Sequence, residues 1–516
     1  MKPTKLQEYT EKIKEILDTS FNADQKKLAL EILEKADSNN LEAIFSLLTK
    51  RIDVGFVFDI APEIQHDAIC LLKHDTKLSF TPDPCTQTHA MIFGENYDAL
   101  KNLLVLYRGC VDCIYIDPPY NTESTKQDGN DYKSKENTSG KFGYRDKFMR
   151  TGWLNMLNER LKLAKDLLSP NGVIFISIDD SEQAYLKVLC DGIFGERNFV
   201  ACIAYQGLDT IKNDAQYFSC NHEYILCYAK EKQHCKIKGV KRTEKHNKVY
   251  KNPDHDERGA YLLTPLHAKS GTESNIYTFT FKNGVKWTPP IGTYPRFSQQ
   301  TLVELENDNR IYFGKKGDAI PQKKTFLGEV APYVKLTTFW SYEFVGSTRQ
   351  ANNDLEILGL KGLFTTPKPV KLLRTLVDSV TSPNSLILDF YAGSGTTGQA
   401  VMELNREDGG NRRCILVTSN ENNIAKGVMY ERIYRICHGV GTKNETFEWT
   451  KKNEPFKDQG WEVFKMDRHN LKIDDQQKAE NLAKQAEKSF KILRPGFTFE
   501  SDFDLYHSLS SLKPYK

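Results

Sequence analysis

The sequence predicts an α/β fold: a mostly parallel sheet flanked by helices, interrupted by an inserted domain and preceded by a helical extension. Three observations carry that prediction. From Ala90 onward, short apolar runs alternate with longer stretches whose apolar residues recur at helical spacing. Between about 201 and 350 the alternation gives way to turn-rich sequence, and beyond 350 it resumes. Alternation of this kind means parallel strands, because a parallel pair needs a crossover connection that a helix supplies.

The elements follow in order. Within 1–75, Leu6, Tyr9, Ile13, Ile16, Leu17 and then Leu28, Leu30, Ile32 and Leu33 keep helical spacing, with breaks at Asn22 and at Asn39 and Asn40, so this region reads as helical. Residues 76–200 form the first half of the α/β domain. They carry a strand at AMIF, a helix over Asn96–Tyr107 with Asn96 as its cap, a strand at 112–116, a helix over Trp153–Leu168 and a strand at 172–178. Ser169, Pro170, Asn171 and Gly172 close that helix and turn the chain, and Asp179, Asp180 and Ser181 offer cap oxygens to a helix beginning near Glu182. The polar stretch 122–147 has almost no aliphatic residues and reads as a long mobile loop.

Residues 201–350, rich in Tyr, Phe, Thr, Pro and Gly, read as the inserted domain. The second half, 351–445, has a helix after Pro369, a strand at 385–390, a helix after Gly398 and a strand at 414–419. Residues 446–516 are a charged, mixed C-terminal region, and no internal repeat is seen.

Composition narrows the function classes. The 516 residues carry 71 Lys+Arg, 68 Asp+Glu and eleven cysteines with no regular spacing, which is not a disulfide framework. Cys110 and Cys113 make a lone CxxC, and Cys220, His222, Cys227, His234 and Cys235 match no zinc spacing, so no metal is expected. The charged start lacks an apolar core, and no apolar run nears the ~18–20 residues of a membrane span, so a cytoplasmic, membrane-free protein is expected. The charge is uneven: 201–350 holds 22 Lys+Arg against 15 Asp+Glu, a net of +7, leaving −4 elsewhere. Such an excess fits a polyanion partner or an ordinary solvated surface.

Two motifs carry chemistry. Asp117, Pro118, Pro119 and Tyr120 follow an apolar strand, where α/β sheets place their sites. Two prolines fix the backbone and leave an acidic acceptor, a carbonyl and an aromatic face in one turn, a geometry suited to a planar ring bearing an amine. A merely stiffened turn is the competing reading. The second motif, Asp389-Phe390-Tyr391-Ala392-Gly393-Ser394-Gly395-Thr396-Thr397-Gly398, also follows an apolar strand and opens a helix. Its glycines allow a nucleotide-like cofactor to approach the backbone, although Gly398 comes too soon for the dinucleotide fingerprint.

Together the motifs resemble those of the DNA amino-methyltransferases that use S-adenosylmethionine. In that family a D-P-P-Y tetrad binds the flipped target base and an F-x-G-x-G loop binds the cofactor; here Tyr391 replaces the Phe. The order, tetrad before loop with an insert between, resembles the circularly permuted beta type on a Rossmann-like sheet, which makes 201–350 the target-recognition domain. Gly94 to Leu100 resembles a further family segment, Thr366-Pro367-Lys368-Pro369 its K-P entry to the next helix, and Glu421 stands near its ribose-binding acid.

The resemblance implies that Asp117, Pro118, Pro119 and Tyr120 are catalytic. It implies that Asp389, Tyr391, Gly393, Ser394, Gly395, Thr396, Lys368 and Glu421 bind the cofactor, and that adenine-N6 is methylated by direct transfer without a metal. Within the insert, Lys241, Arg242, Lys245, Arg258, Lys323 and Lys324 are candidate contacts to double-stranded DNA. Longer similarity is greatest to the modification subunit of type III restriction systems, a dimer that docks a helicase-nuclease subunit. A solitary beta-type enzyme, a cytosine-N4 methyltransferase, a non-catalytic specificity subunit and an unrelated nucleotide-binding oxidoreductase are the alternatives.

Overall fold

The computed structural model describes residues 64–120, 150–470, 476–498 and 508–512, with shorter stretches between 5 and 57. The expected loop at 122–147 lies outside the described residues. The chain divides into two compact units, one of 1–237 with 337–516 and one of 238–336.

The larger unit is built on a sheet with eleven strands among the described residues. In chain order these are β1 (Ile64–His74), β2 (Gln87–Phe93), β3 (Val111–Ile116), β4 (Leu168–Ile178), β5 (Phe199–Tyr205), β6 (Glu223–Ala229), β7 (Phe339–Trp340), β8 (Leu386–Asp389), β9 (Arg413–Thr418), β10 (Gln459–Asn470) and β11 (Ser510–Leu512). In space they run β7-β5-β6-β4-β3-β8-β9-β2-β10-β1-β11. The central run from β4 to β10 is parallel throughout. Antiparallel pairs extend it through β6 on one side and β1 on the other. The central strands are apolar runs such as CIYI and CILV, buried almost end to end, because helices cover both faces of a parallel sheet.

Helices follow the apolar periodicity. Among them are α1 (Lys5–Glu15), α2 (Ala23–Glu34), α3 (Asn96–Tyr107), α4 (Arg150–Leu167), α5 (Gln183–Phe194), α6 (Val370–Val380), α7 (Thr396–Asp408), α8 (Glu431–His438) and α9 (Gln476–Leu493). In α4, Trp153, Leu157, Leu161 and Ala164 are all buried at i, i+4, i+8 and i+11, one stripe laid into the core. Truncating Leu161 to Ala removes a fully buried side chain, a change that costs about 2–5 kcal/mol.

Several expectations are corrected. The inserted unit is narrower than 201–350: β5, β6 and β7 belong to the large sheet, and only 238–336 forms a separate body with its own core of Leu266, Phe281, Trp287, Leu302 and Ile311. The entire +7 excess lies there, with 17 Lys+Arg against 10 Asp+Glu in 238–336. The 1–75 region is helical only in part, since Ile64–His74 is β1. Leu28 and Ile32 are exposed, while Ile13, Ala29 and Leu33 make the small N-terminal core.

The charged C-terminal region is no appendage, because β10 pairs with β2 and with β1. Ser169 to Gly172 form a bulge rather than a free turn: Leu168 pairs with Val111 and pairing resumes at Val173 with Cys113. Asp179 does not cap α5 with its side chain; its carboxylate accepts the Ser181 N–H at 3.0 Å. No helix among the described residues is long and apolar enough to cross a membrane.

Candidate active site

Strands β3 and β8 are parallel neighbours, with Cys113 opposite Ile387 and Ile114 opposite Leu388. Their carboxyl ends therefore lie side by side, and Asp117 and Asp389 meet although 272 residues separate them. A cavity of about 250 Å³ opens there, and both motifs line it.

The turn after β3 is fixed from outside. Trp153 of α4, itself buried, donates its indole N–H to the Pro119 carbonyl at 2.6 Å. The Tyr120 phenol oxygen lies 2.9 Å from Asp117 Oδ1 and 2.9 Å from Glu223 Oε2. Lys368 Nζ donates to the same phenol at 2.9 Å and pairs with Asp117 at 3.0 Å and Glu223 at 3.2 Å. Burial works against the lysine's charge, but the two carboxylates outweigh it and raise its pKa. Burial, Asp117 and Glu223 push the Tyr120 phenol well above its ordinary range, so it stays a donor.

The loop after β8 is shaped by Asp389. Its carboxylate accepts the Tyr391 N–H at 3.0 Å and the Thr397 hydroxyl at 2.5 Å. Burial pushes its pKa up to about 7, and Asp117 adds to the shift. Gly393 and Gly395 adopt φ of +49° and +77°, where L side chains are strained; a Cβ on Gly393 would stand 2.9 Å from Phe364. Arg432 of α8, fully buried, donates to the hydroxyls of Ser394 (3.3 Å) and Thr396 (2.8 Å) and to Gln399 Oε1 (3.0 Å). Helix α3 reaches across to the loop through Asn96, whose amide donates to the Phe390 carbonyl at 3.0 Å and accepts from Arg160 at 2.5 Å. The cap of α3 is Glu95, not Asn96, and Arg160 also pairs with it.

The structure thus brings Asp117, Pro118, Pro119, Tyr120, Asp389, Tyr391, Gly393, Ser394 and Thr396 to one cavity. Gly395 sits just behind it as the cap of α7. Lys368 lines the cavity too, but its contacts are with Asp117, Tyr120 and Glu223 rather than with the glycine loop, so it belongs to the acidic turn. Glu421 is exposed in a short turn beyond β9 and does not line the cavity; the strand ends at Thr418, and the next residue at the wall is Ser419.

Glu223, Arg160 and Arg432 were not legible as site residues. Glu223 opens the apolar run YILCYA inside the segment read as an insert, and a lone carboxylate at the head of a buried strand was the available signal.

The six basic candidates of the 238–336 unit separate by exposure. Lys324 is buried and held by Asp254 (2.6 Å) and Asp256 (3.0 Å), so it is a structural cation. Arg258 is clamped by Asp256 and Asp308 and lies over the Phe326 ring. Arg242 bonds Asn247 and Tyr250, and Lys323 stands over Phe297. Lys241 and Lys245 are exposed.

The model of a family described as DNA methylase matches residues 111–427, and that of an uncharacterised conserved protein family matches 6–113. The chain is 35% identical over 426 residues to the type III restriction-modification enzyme StyLTI Mod subunit of Salmonella typhimurium, a match covering 75% of this chain and 60% of that protein. It is 32% identical to the EcoPI Mod subunit of Escherichia phage P1, covering 68% and 60%. With the type II methyltransferase M.KpnI of Klebsiella pneumoniae it shares 30% identity, covering 68% of this chain and 86% of that protein. The chain thus spans about 60% of the length of the two Mod subunits.

Proposed function

Because this chain belongs to the DNA methylase family, we propose that it transfers the methyl group of S-adenosylmethionine to the 6-amino group of an adenine flipped out of duplex DNA, as the modification subunit of a type III restriction system. The observation that carries this reading is the single cavity shared by the acceptor turn at Asp117 and the glycine loop after Asp389. The residues fit the cofactor: two glycines at positive φ let a ligand approach the backbone, and Asn96, Asp389 and Arg432 hold the loop around it.

When bound, S-adenosylmethionine supplies an electrophilic methyl on a sulfonium. The chain's own residues do the rest. Asp117 and the Pro118 carbonyl accept the two amine hydrogens, which draws the nitrogen lone pair toward the methyl. Trp153 keeps the turn rigid, so the amine is held rather than sampled. Unstacking the base costs a few kcal/mol, offset by contacts in the pocket. The net +7 of the 238–336 unit supports its role in target recognition, and a homodimer, a helicase-nuclease partner and a cytoplasmic location belong to the same proposal.

A second reading, a solitary methyltransferase, has in its favour the 30% identity to the type II methyltransferase M.KpnI. Labelled S-adenosylmethionine and mixed-sequence DNA test the chemistry, with digestion to nucleosides. The expected product is 6-methyladenine, lost in Asp117→Ala while cofactor binding survives. Label in 4-methylcytosine would overturn the substrate, and an active Asp117→Ala protein would overturn the site.

A further inference from the structure

Tyr120 has one hydroxyl hydrogen and two carboxylates within reach of it, Asp117 Oδ1 and Glu223 Oε2, each at 2.9 Å. Lys368 has hydrogens enough for all three of its neighbours, but the phenol donates to one carboxylate at a time. The carboxylate it leaves is the stronger acceptor for another group. Both contacts to Asp117 fall on Oδ1, and Oδ2 has no hydrogen bond among the described residues. Two carboxylates against one lysine also leave the cluster one net negative charge.

Resting on the methyltransferase reading, we infer that Glu223 is a positioning residue for methyl transfer: it takes the Tyr120 hydroxyl and a share of Lys368 away from Asp117 while Asp117 accepts a hydrogen of the incoming amine. In that step the nitrogen lone pair forms the N–C bond and the C–S bond breaks with its electron pair going to sulfur. The proton shed by the nitrogen passes to Asp117 and then to solvent. Positive charge moves from sulfur to nitrogen, toward the net negative cluster, and the attraction is greatest when the transfer is under way.

Other titratable groups share this environment. Lys368 faces Glu223 from the segment before α6, and Tyr120 and Asp117 from the turn after β3. The phenols of Tyr115 and Tyr205 and the carboxyl of Asp179 also feel the Glu223 charge, and Asp389 feels that of Asp117. Glu95 and Arg160 line the same cavity. A single substitution at Glu223 leaves all of these in place.

The test is single-turnover methyl transfer to long unmethylated duplex DNA of mixed sequence, from pH 5 to 9, with Glu223→Gln beside the wild type. Cofactor and DNA affinities are measured separately. The plateau rate should fall about 10-fold or more, with both affinities within about two-fold of wild type. The acid limb of the rate profile should move to lower pH, because one negative charge leaves the cluster beside the reacting amine. Glu223→Asp should recover part of the rate. A Glu223→Gln protein with wild-type rate and profile would overturn the inference. So would a rate loss with an unmoved acid limb or a matching loss of affinity, which is what a purely structural role gives. A wild-type protein that transfers no label would overturn the functional reading and this inference with it, whereas an active wild type matched by Glu223→Gln overturns the inference alone.

Discussion

Replacing Asp389 with Asn should make the protein more stable at high pH and change it little at low pH. Asp389 is 2% exposed, and burial moves its pKa from the ordinary 3.8 to about 7. A carboxyl whose folded pKa lies above its unfolded value binds more protons in the folded state. Stability is therefore full below pH 3.8 and is lost as the pH rises through about 7. Between pH 5 and pH 8 those two values give a loss of about 2–3 kcal/mol.

An amide at the same place carries no charge at any of these pH values. Its oxygen can still accept the Tyr391 N–H, and its NH₂ can donate to the Thr397 hydroxyl, which rotates to receive it. Urea unfolding of both proteins at pH 5 and pH 8 measures the effect. The stability difference in favour of Asp389→Asn should grow by about 2–3 kcal/mol between the two pH values. A difference independent of pH would refute the argument that the carboxyl is held largely protonated by burial.

Other outcomes follow from the same geometry. Arg432→Gln leaves Ser394 and Thr396 without their buried donor, a loss of about 1–3 kcal/mol in loop order, and S-adenosylmethionine affinity by calorimetry should drop at least about ten-fold. Lys324→Met removes the buried cation shared by Asp254 and Asp256, leaving Asp256 to Arg258 and Asp254 to the Tyr261 hydroxyl, and should lower the unfolding temperature of the 238–336 unit. The paired change Lys241→Ala with Lys245→Ala should leave that temperature alone, weaken DNA binding at low salt and reduce the salt slope by up to about two. A slope equal to that of wild type would remove both lysines from the DNA-contacting set.

What could be read in advance divides along physical lines. β3 and β8 are legible because strands buried on both faces need unbroken apolar runs, and the turns at Asp117 and Gly393 announce themselves through proline and glycine. β10 is hidden because only its first half is buried; KMDRHN alternates against β1 and reads as a charged tail. Glu223 is hidden for a different reason. Its meaning arises only when β6 lies antiparallel beside β4, two positions from β3, and no local pattern states that neighbourhood. Lys324 errs the other way: a lysine in a basic segment looks like a phosphate contact until Asp254 and Asp256 are found around it.

The strand order has a consequence for how the protein is made. β2, which leaves the ribosome early, has its far edge covered by β10, and β1 lies between β10 and β11. Until residues 459–512 are synthesised, a row of unpaired backbone groups on an apolar strand stays open to any other chain with a free edge. Nascent chains should therefore depend on chaperone cover late into synthesis, and a stop codon near 445 should yield an aggregate rather than a smaller folded protein.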